Sequence, residues 1–202
     1  MGEPRHQRTQ RLREAYVEVV IALARHFLLV AALLLGAFPV SAQQQATEVA
    51  VKAALLYRFA SYVEWPAEVL GAPGSPFVIC VTGSDEVATE LEQLVKGRTI
   101  ANRPVTVRRL KEGEGVSGAH VLFVGGSDPG RIRAAARVAR PRSVLVVSDA
   151  AGGLEAGSVI NFVPADDRVG FEVSMEAAER SNLKVSSRML GVARRVVGAT
   201  PS

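Results

Sequence analysis

His120-Val121-Leu122-Phe123-Val124 and Ser143-Val144-Leu145-Val146-Val147 are short runs, apolar after their first residue, and the segment between them decides the fold. Strands apolar at every position have both faces covered, which places them in the middle of a parallel sheet. Parallel neighbours need a crossover long enough to return the chain to its starting edge. Residues 125–142 supply one: Gly125-Gly126 makes a turn, Asp128 is a helix N-cap, and Pro129 suits a first helical turn. A helix is expected from Pro129 to about Arg140.

The same alternation extends upstream. Phe77–Val81 reads as a strand, Ser84 caps a helix that Gly97 ends, and Pro104–Val107 reads as a further strand. Downstream the pattern changes. Val159–Val163 and Val169–Val173 flank a polar turn at Asp166-Asp167 as a hairpin does, and two short helices are expected at Met175–Ser181 and Ser186–Val197. The sum is an α/β three-layer sandwich with a mostly parallel central sheet and an antiparallel edge hairpin. The arrangement is Rossmann-like, but Gly125-Gly126 matches neither the dinucleotide fingerprint nor the Walker loop.

Ahead of the sheet, Ala46–Trp65 reads as one helix stopped by Pro66. At 100° per residue, Val49, Ala53, Leu56, Ala60 and Val63 share one face. Val51, Leu55, Phe59 and Tyr62 fall on another, beside Glu48, Lys52 and Arg58. A helix apolar on two sides asks for cover on both, from its own domain, a second copy or a partner. A partner-binding stripe is expected on Leu55, Arg58, Phe59, Tyr62 and Trp65, because aromatic residues and arginine dominate binding energies.

The first 42 residues read differently. Arg5, Arg8, Arg11, Arg13 and Arg25 precede an uncharged apolar run from Phe27 to Phe38, and Val40-Ser41-Ala42 offers small residues for cleavage. The run is too short for a spanning helix, so a cleavable export signal over residues 1–42 and a single domain over 43–202 are expected. The 202 residues carry 24 basic and 20 acidic side chains. Taking away the five Arg and three Glu of residues 1–42 leaves 19 and 17, a net charge of +2 that argues for no nucleic-acid partner.

Chemistry-bearing groups are sparse. Beyond residue 42 the only histidine is His120, which excludes a zinc site of several imidazoles and leaves one base for any Ser-His-Asp arrangement, with Ser148 or Asp149. Gly126-Ser127-Asp128-Pro129-Gly130 lacks the spacing of a nucleophile elbow. Cys80, the single cysteine, sits in an apolar strand and reads as a small core hydrophobe. No catalytic residue, metal or cofactor is expected.

Three stretches carry a family resemblance: Val51–Pro66 with its aromatic run into Trp65-Pro66; His120–Gly125 followed by Val144–Asp149; and Ile160–Val163 through Phe171–Val173 to Lys184–Arg188. In order and spacing they resemble the YfiR-like family of periplasmic proteins, from about Val49 to Val197. The resemblance implies a non-enzymatic regulator that binds the periplasmic part of an inner-membrane receptor. In the best-understood members that is a diguanylate cyclase held inactive in cyclic-di-GMP and biofilm control, with membrane contact only through the partner. Family members of that type also carry paired cysteines, whereas this chain has Cys80 alone. A second reading, a periplasmic small-molecule-binding protein, would use the carboxyl ends of the strands near Gly83, Gly125 and Asp149.

Overall fold

In a computed structural model, which describes residues 40–165 and 168–198, the two apolar runs are neighbours. Strand β5 (Val121–Val124) pairs in parallel with β6 (Leu145–Ser148), Val121 opposite Leu145, and every residue of both is buried. On the other side of β5 lies β2 (Phe77–Thr82), parallel to it, and then β4 (Arg103–Arg109), parallel to β2. Beyond β6 come β7 (Ile160–Ala165), parallel, and β8 (Arg168–Ser174), antiparallel to β7. With edge strands β3 (Thr99–Ile100) and β10 (Arg195–Val197), the order is β10-β8-β7-β6-β5-β2-β4-β3. The mostly parallel sheet and its hairpin are as the sequence predicts.

Side chains alternate across a strand, so each central strand feeds two cores. Phe77, Ile79, Val121, Phe123, Leu145 and Val147 face one layer, formed by α1 (Val40–Tyr62), α2 (Asp85–Leu94), α4 (Met175–Arg180) and α5 (Ser187–Leu190). Cys80, Leu122, Val124, Val144 and Val146 face the other, where α3 (Pro129–Ala139) contributes Ile132 and Ala139. Each fully buried side chain of this size contributes about 1.5–3 kcal/mol. Both expected caps form: Ser84 Oγ accepts from Val87 N at 3.4 Å and Asp128 Oδ1 from Gly130 N at 2.7 Å.

Three elements depart from expectation. The first helix ends at Tyr62, three residues short of Trp65, because Val63 and Glu64 form a strand, β1, antiparallel to β9 (Lys184–Val185). The helix expected over Ser186–Val197 shrinks to α5, and Arg195–Val197 instead adds to the sheet beside Glu172–Ser174. Thr99–Ile100 turns back onto β4 through Ala101 and Asn102, both left-handed at φ 49° and 59°, a tight hairpin of the type that matches strand twist.

The expected export signal falls mostly on residues 1–39, outside the described residues. Among the described residues, no helix is long and apolar enough to cross a membrane.

Candidate functional site

Helix α1 presents its five expected binding residues unequally. Phe59 is 2% exposed, stacked at 5.7 Å on Phe162 and edge-on at 4.9 Å to Phe171. Its expected place on an outer stripe is therefore corrected. Residue 59 lies three positions, about 60° of helix rotation, from fully buried Leu56, and an aromatic ring spans that distance to reach the core. Leu55 is half-buried, Arg58 is exposed, and Tyr62 is 37% exposed. These three recur at i, i+3 and i+7, which makes one stripe along the helix. Trp65 lies just beyond, half-buried, with Nε1 donating to the His120 carbonyl at 3.3 Å and its ring edge-on to Phe77 at 5.1 Å.

The opposite flank of α1 is occupied. Tyr57 donates its hydroxyl to the Thr99 carbonyl at 3.1 Å, and the Arg98 guanidinium lies 5.4 Å from the Tyr57 ring centre. Arg58, by contrast, has no ion pair or hydrogen bond among the described residues. The open stripe thus combines a free guanidinium with a phenol on a rigid helix.

At the carboxyl ends of the parallel strands, where the alternative reading expects a small ligand near Gly83, Gly125 and Asp149, the two glycine turns pack closely against each other. A side chain at Gly83 would collide with the Gly125 carbonyl, and one at Gly125 with Gly83 and Ser84. Arg131 closes over both, its guanidinium 3.4 Å from the Gly125 carbonyl and 3.4 Å from Thr82 Oγ1. The Gly126 N–H donates to Asp149 Oδ1 at 3.0 Å. The other oxygen of that carboxylate pairs with Lys52 Nζ at 2.8 Å, and Lys52 also meets Glu48 at 2.7 Å. Burial opposes the Lys52 charge, but hydrogen bonds to Asp149 and Glu48 more than offset it and raise the ammonium pKa. Sequence reading placed Lys52 and Asp149 separately. Nothing in a chain links two residues 97 positions apart before it folds.

His120, Ser148 and Asp149 are not brought together. His120 precedes β5 while Ser148 ends β6, and the register Val124 opposite Ser148 sets them four residues, about 13 Å, apart along parallel strands. His120 Nδ1 accepts from Val78 N at 3.0 Å and its ring stacks on Phe77 at 4.5 Å. Burial lowers its pKa, and the Nδ1 that accepts the Val78 N–H serves as a structural acceptor. Ser148 Oγ is buried, 2.9 Å from Ser158 Oγ and 2.7 Å from Asn161 Oδ1. Among the described residues, no group of three His, Cys, Asp or Glu could hold a metal.

The model of the family described as YfiR/HmsC-like matches residues 49–194. No curated protein matches the chain. Two solved structures are similar: a conserved domain protein from Vibrio cholerae O1 biovar El Tor and the ABC domain in complex with L-Trp from Streptococcus pneumoniae. The first has 12% identity over 73% of this chain, with TM-score 0.48, and the second 9% over 74%, also at 0.48. In each case the match covers 60% of the other protein's length.

Proposed function

This chain belongs to the YfiR/HmsC-like family, and from that premise we propose that it is a non-enzymatic periplasmic regulator that docks on an inner-membrane receptor and represses it. The receptor class we propose is a diguanylate cyclase, bound through its periplasmic part, which would connect the envelope to cyclic-di-GMP signalling. The observation that carries the reading is the open stripe of α1. Leu55, Arg58 and Tyr62 stand in line, with Arg58 unpaired among the described residues and the Tyr62 ring exposed on a helix whose opposite face is core. Arginine and tyrosine are among the side chains enriched at the energetic centre of an interface.

Repression follows only if the regulator binds the inactive receptor more tightly than the active one. The experiment is a binding titration of the purified protein against the periplasmic domain of a diguanylate cyclase from the same organism. Tyr62→Glu and Arg58→Glu are run in parallel and each fold is checked by circular dichroism. Both variants are expected to fold and to lose binding at least tenfold. Wild-type affinity in both would move the interface off α1, and absence of wild-type binding would refute this receptor class.

A further inference from the structure

The two faces of the sheet are covered unequally. Four helices lie on the α1 side, whereas α3 with its flanking loops covers the other, and there a groove of about 550 Å³ opens between α3 and the loop after β4. That volume lies within the 300–1,000 Å³ typical of ligand sites. Its floor is Leu122 and Val124 of β5, and its apolar walls are Leu110 and Val116 on the loop side and Ala135 and Val138 on α3. Val138 is 42% exposed, one of four large apolar side chains left open among the described residues. The loop wall is held in place: Arg108 Nη2 donates to the Ser117 carbonyl at 3.0 Å and lies 3.4 Å from the Gly115 carbonyl.

The charges around this groove are asymmetric in what they have left to offer. Its three carboxylates are engaged: Asp128 caps Gly130 N, Glu114 Oε2 accepts from Lys111 N at 2.8 Å, and Glu112 lies 4.0 Å from Arg131 Nε. Of its four cations, only Arg131 is fully engaged. The side chains of Lys111 and Arg137 have no ion pair or hydrogen bond among the described residues, and Arg142 uses Nη1 alone, on the Val138 carbonyl. An apolar trough with spare cationic donors at its rim is complementary to a ligand with an apolar body and an anionic head.

We propose that this groove is a binding site for an amphipathic anion, a single-chain carboxylate of the fatty-acid class. The alkyl chain lies along Leu122, Val124 and Val138, and the head meets Arg137 and Lys111. The site is on the opposite side of the sheet from α1 and shares no residue with the stripe proposed for the receptor.

The test is thermal unfolding and calorimetric titration of the purified protein with dodecanoate, kept below its micelle concentration, against dodecyltrimethylammonium of the same chain length. Dodecanoate is expected to raise the melting temperature in a concentration-dependent way by mass action, and the cation to give no rise. Ala134→Trp, an exposed position lining the groove, is expected to leave the unliganded melting temperature unchanged and to abolish the dodecanoate shift. Arg137→Glu should weaken dodecanoate at least tenfold. Equal shifts from anion and cation, wild-type binding by Ala134→Trp, or no response to dodecanoate would each overturn the proposal.

Discussion

Lys52 and Asp149 join α1 to the carboxyl end of β6 through a 2.8 Å ion pair whose side chains are 14% and 16% exposed. The same carboxylate takes the Gly126 N–H, so a single acid ties the first helix to the turn after β5. Asp149→Ala removes the acceptor of the Gly126 N–H and one of the two carboxylates on Lys52, leaving Glu48 as the remaining partner of the ammonium. A loss of about 1–3 kcal/mol is expected by urea denaturation. Asp149→Asn retains an acceptor for Gly126 and should cost less.

Phe59 and Tyr62 are three residues apart on α1 but differ sharply in burial. Phe59→Ala opens a cavity beside Phe162 and Phe171 and should cost about 3–5 kcal/mol. Tyr62→Glu should change stability by no more than about 0.5 kcal/mol. Thermal melts of the pair check this directly, and a large loss at both positions would place the Tyr62 side of the helix in the core too.

The stability of the fold should fall in acid through His120. Its folded pKa lies below the ordinary value of 6.5 because burial, with Arg103 adding repulsion, opposes the charged form. Above about pH 6.5 both folded and unfolded states are neutral there, and the contribution is complete. As pH falls below that value the unfolded chain takes up a proton that the folded one resists. Stability is then lost until the folded pKa is reached, with a slope of up to about 1.4 kcal/mol per pH unit. His120→Asn, which keeps an acceptor near Val78 N, should flatten that segment of a stability-against-pH curve. An unchanged slope in the variant would assign it to other groups.

Gly153 is required by a close approach. A Cβ there would collide with Asn161 Oδ1 and Ser148 Oγ, in the buried network with Ser158. Gly153→Ala should cost about 1–3 kcal/mol. Gly115→Ala, where a Cβ meets open space, should shift stability by no more than about 0.5 kcal/mol. Chemical denaturation of the two variants side by side reads the difference.

Cys80 is fully buried, and burial pushes its thiol pKa up despite the nearby Arg108 guanidinium. Since the thiolate is the reactive form, the folded protein should resist a thiol reagent near neutral pH and react stoichiometrically once unfolded. Rapid labelling of the native protein would contradict the burial.

By itself the sequence determined the features that rest on local physics. Uniformly apolar runs at 121–124 and 144–147 require cover on both faces. Ser84 and Asp128 satisfy helix amides within three residues of themselves, and the alternation on either side of Asp166-Asp167 allows only a hairpin. Tertiary structure alone decided the rest, because partners distant in sequence compete for the same residues. Val63-Glu64 left the helix for Val185-Lys184, and Arg195–Val197 left a predicted helix for the free edge of β8. In both places strand pairing supplies hydrogen bonds that no local pattern reveals. The surface of α1 was settled in the same way. Periodicity put Phe59 and Tyr62 on one stripe, but Phe162 and Phe171 of the distant hairpin reach over to cover the first, and the second stays open. How wide a strip of a helix is buried depends on the size of the side chains that meet it from elsewhere in the chain, and that is fixed only when they meet.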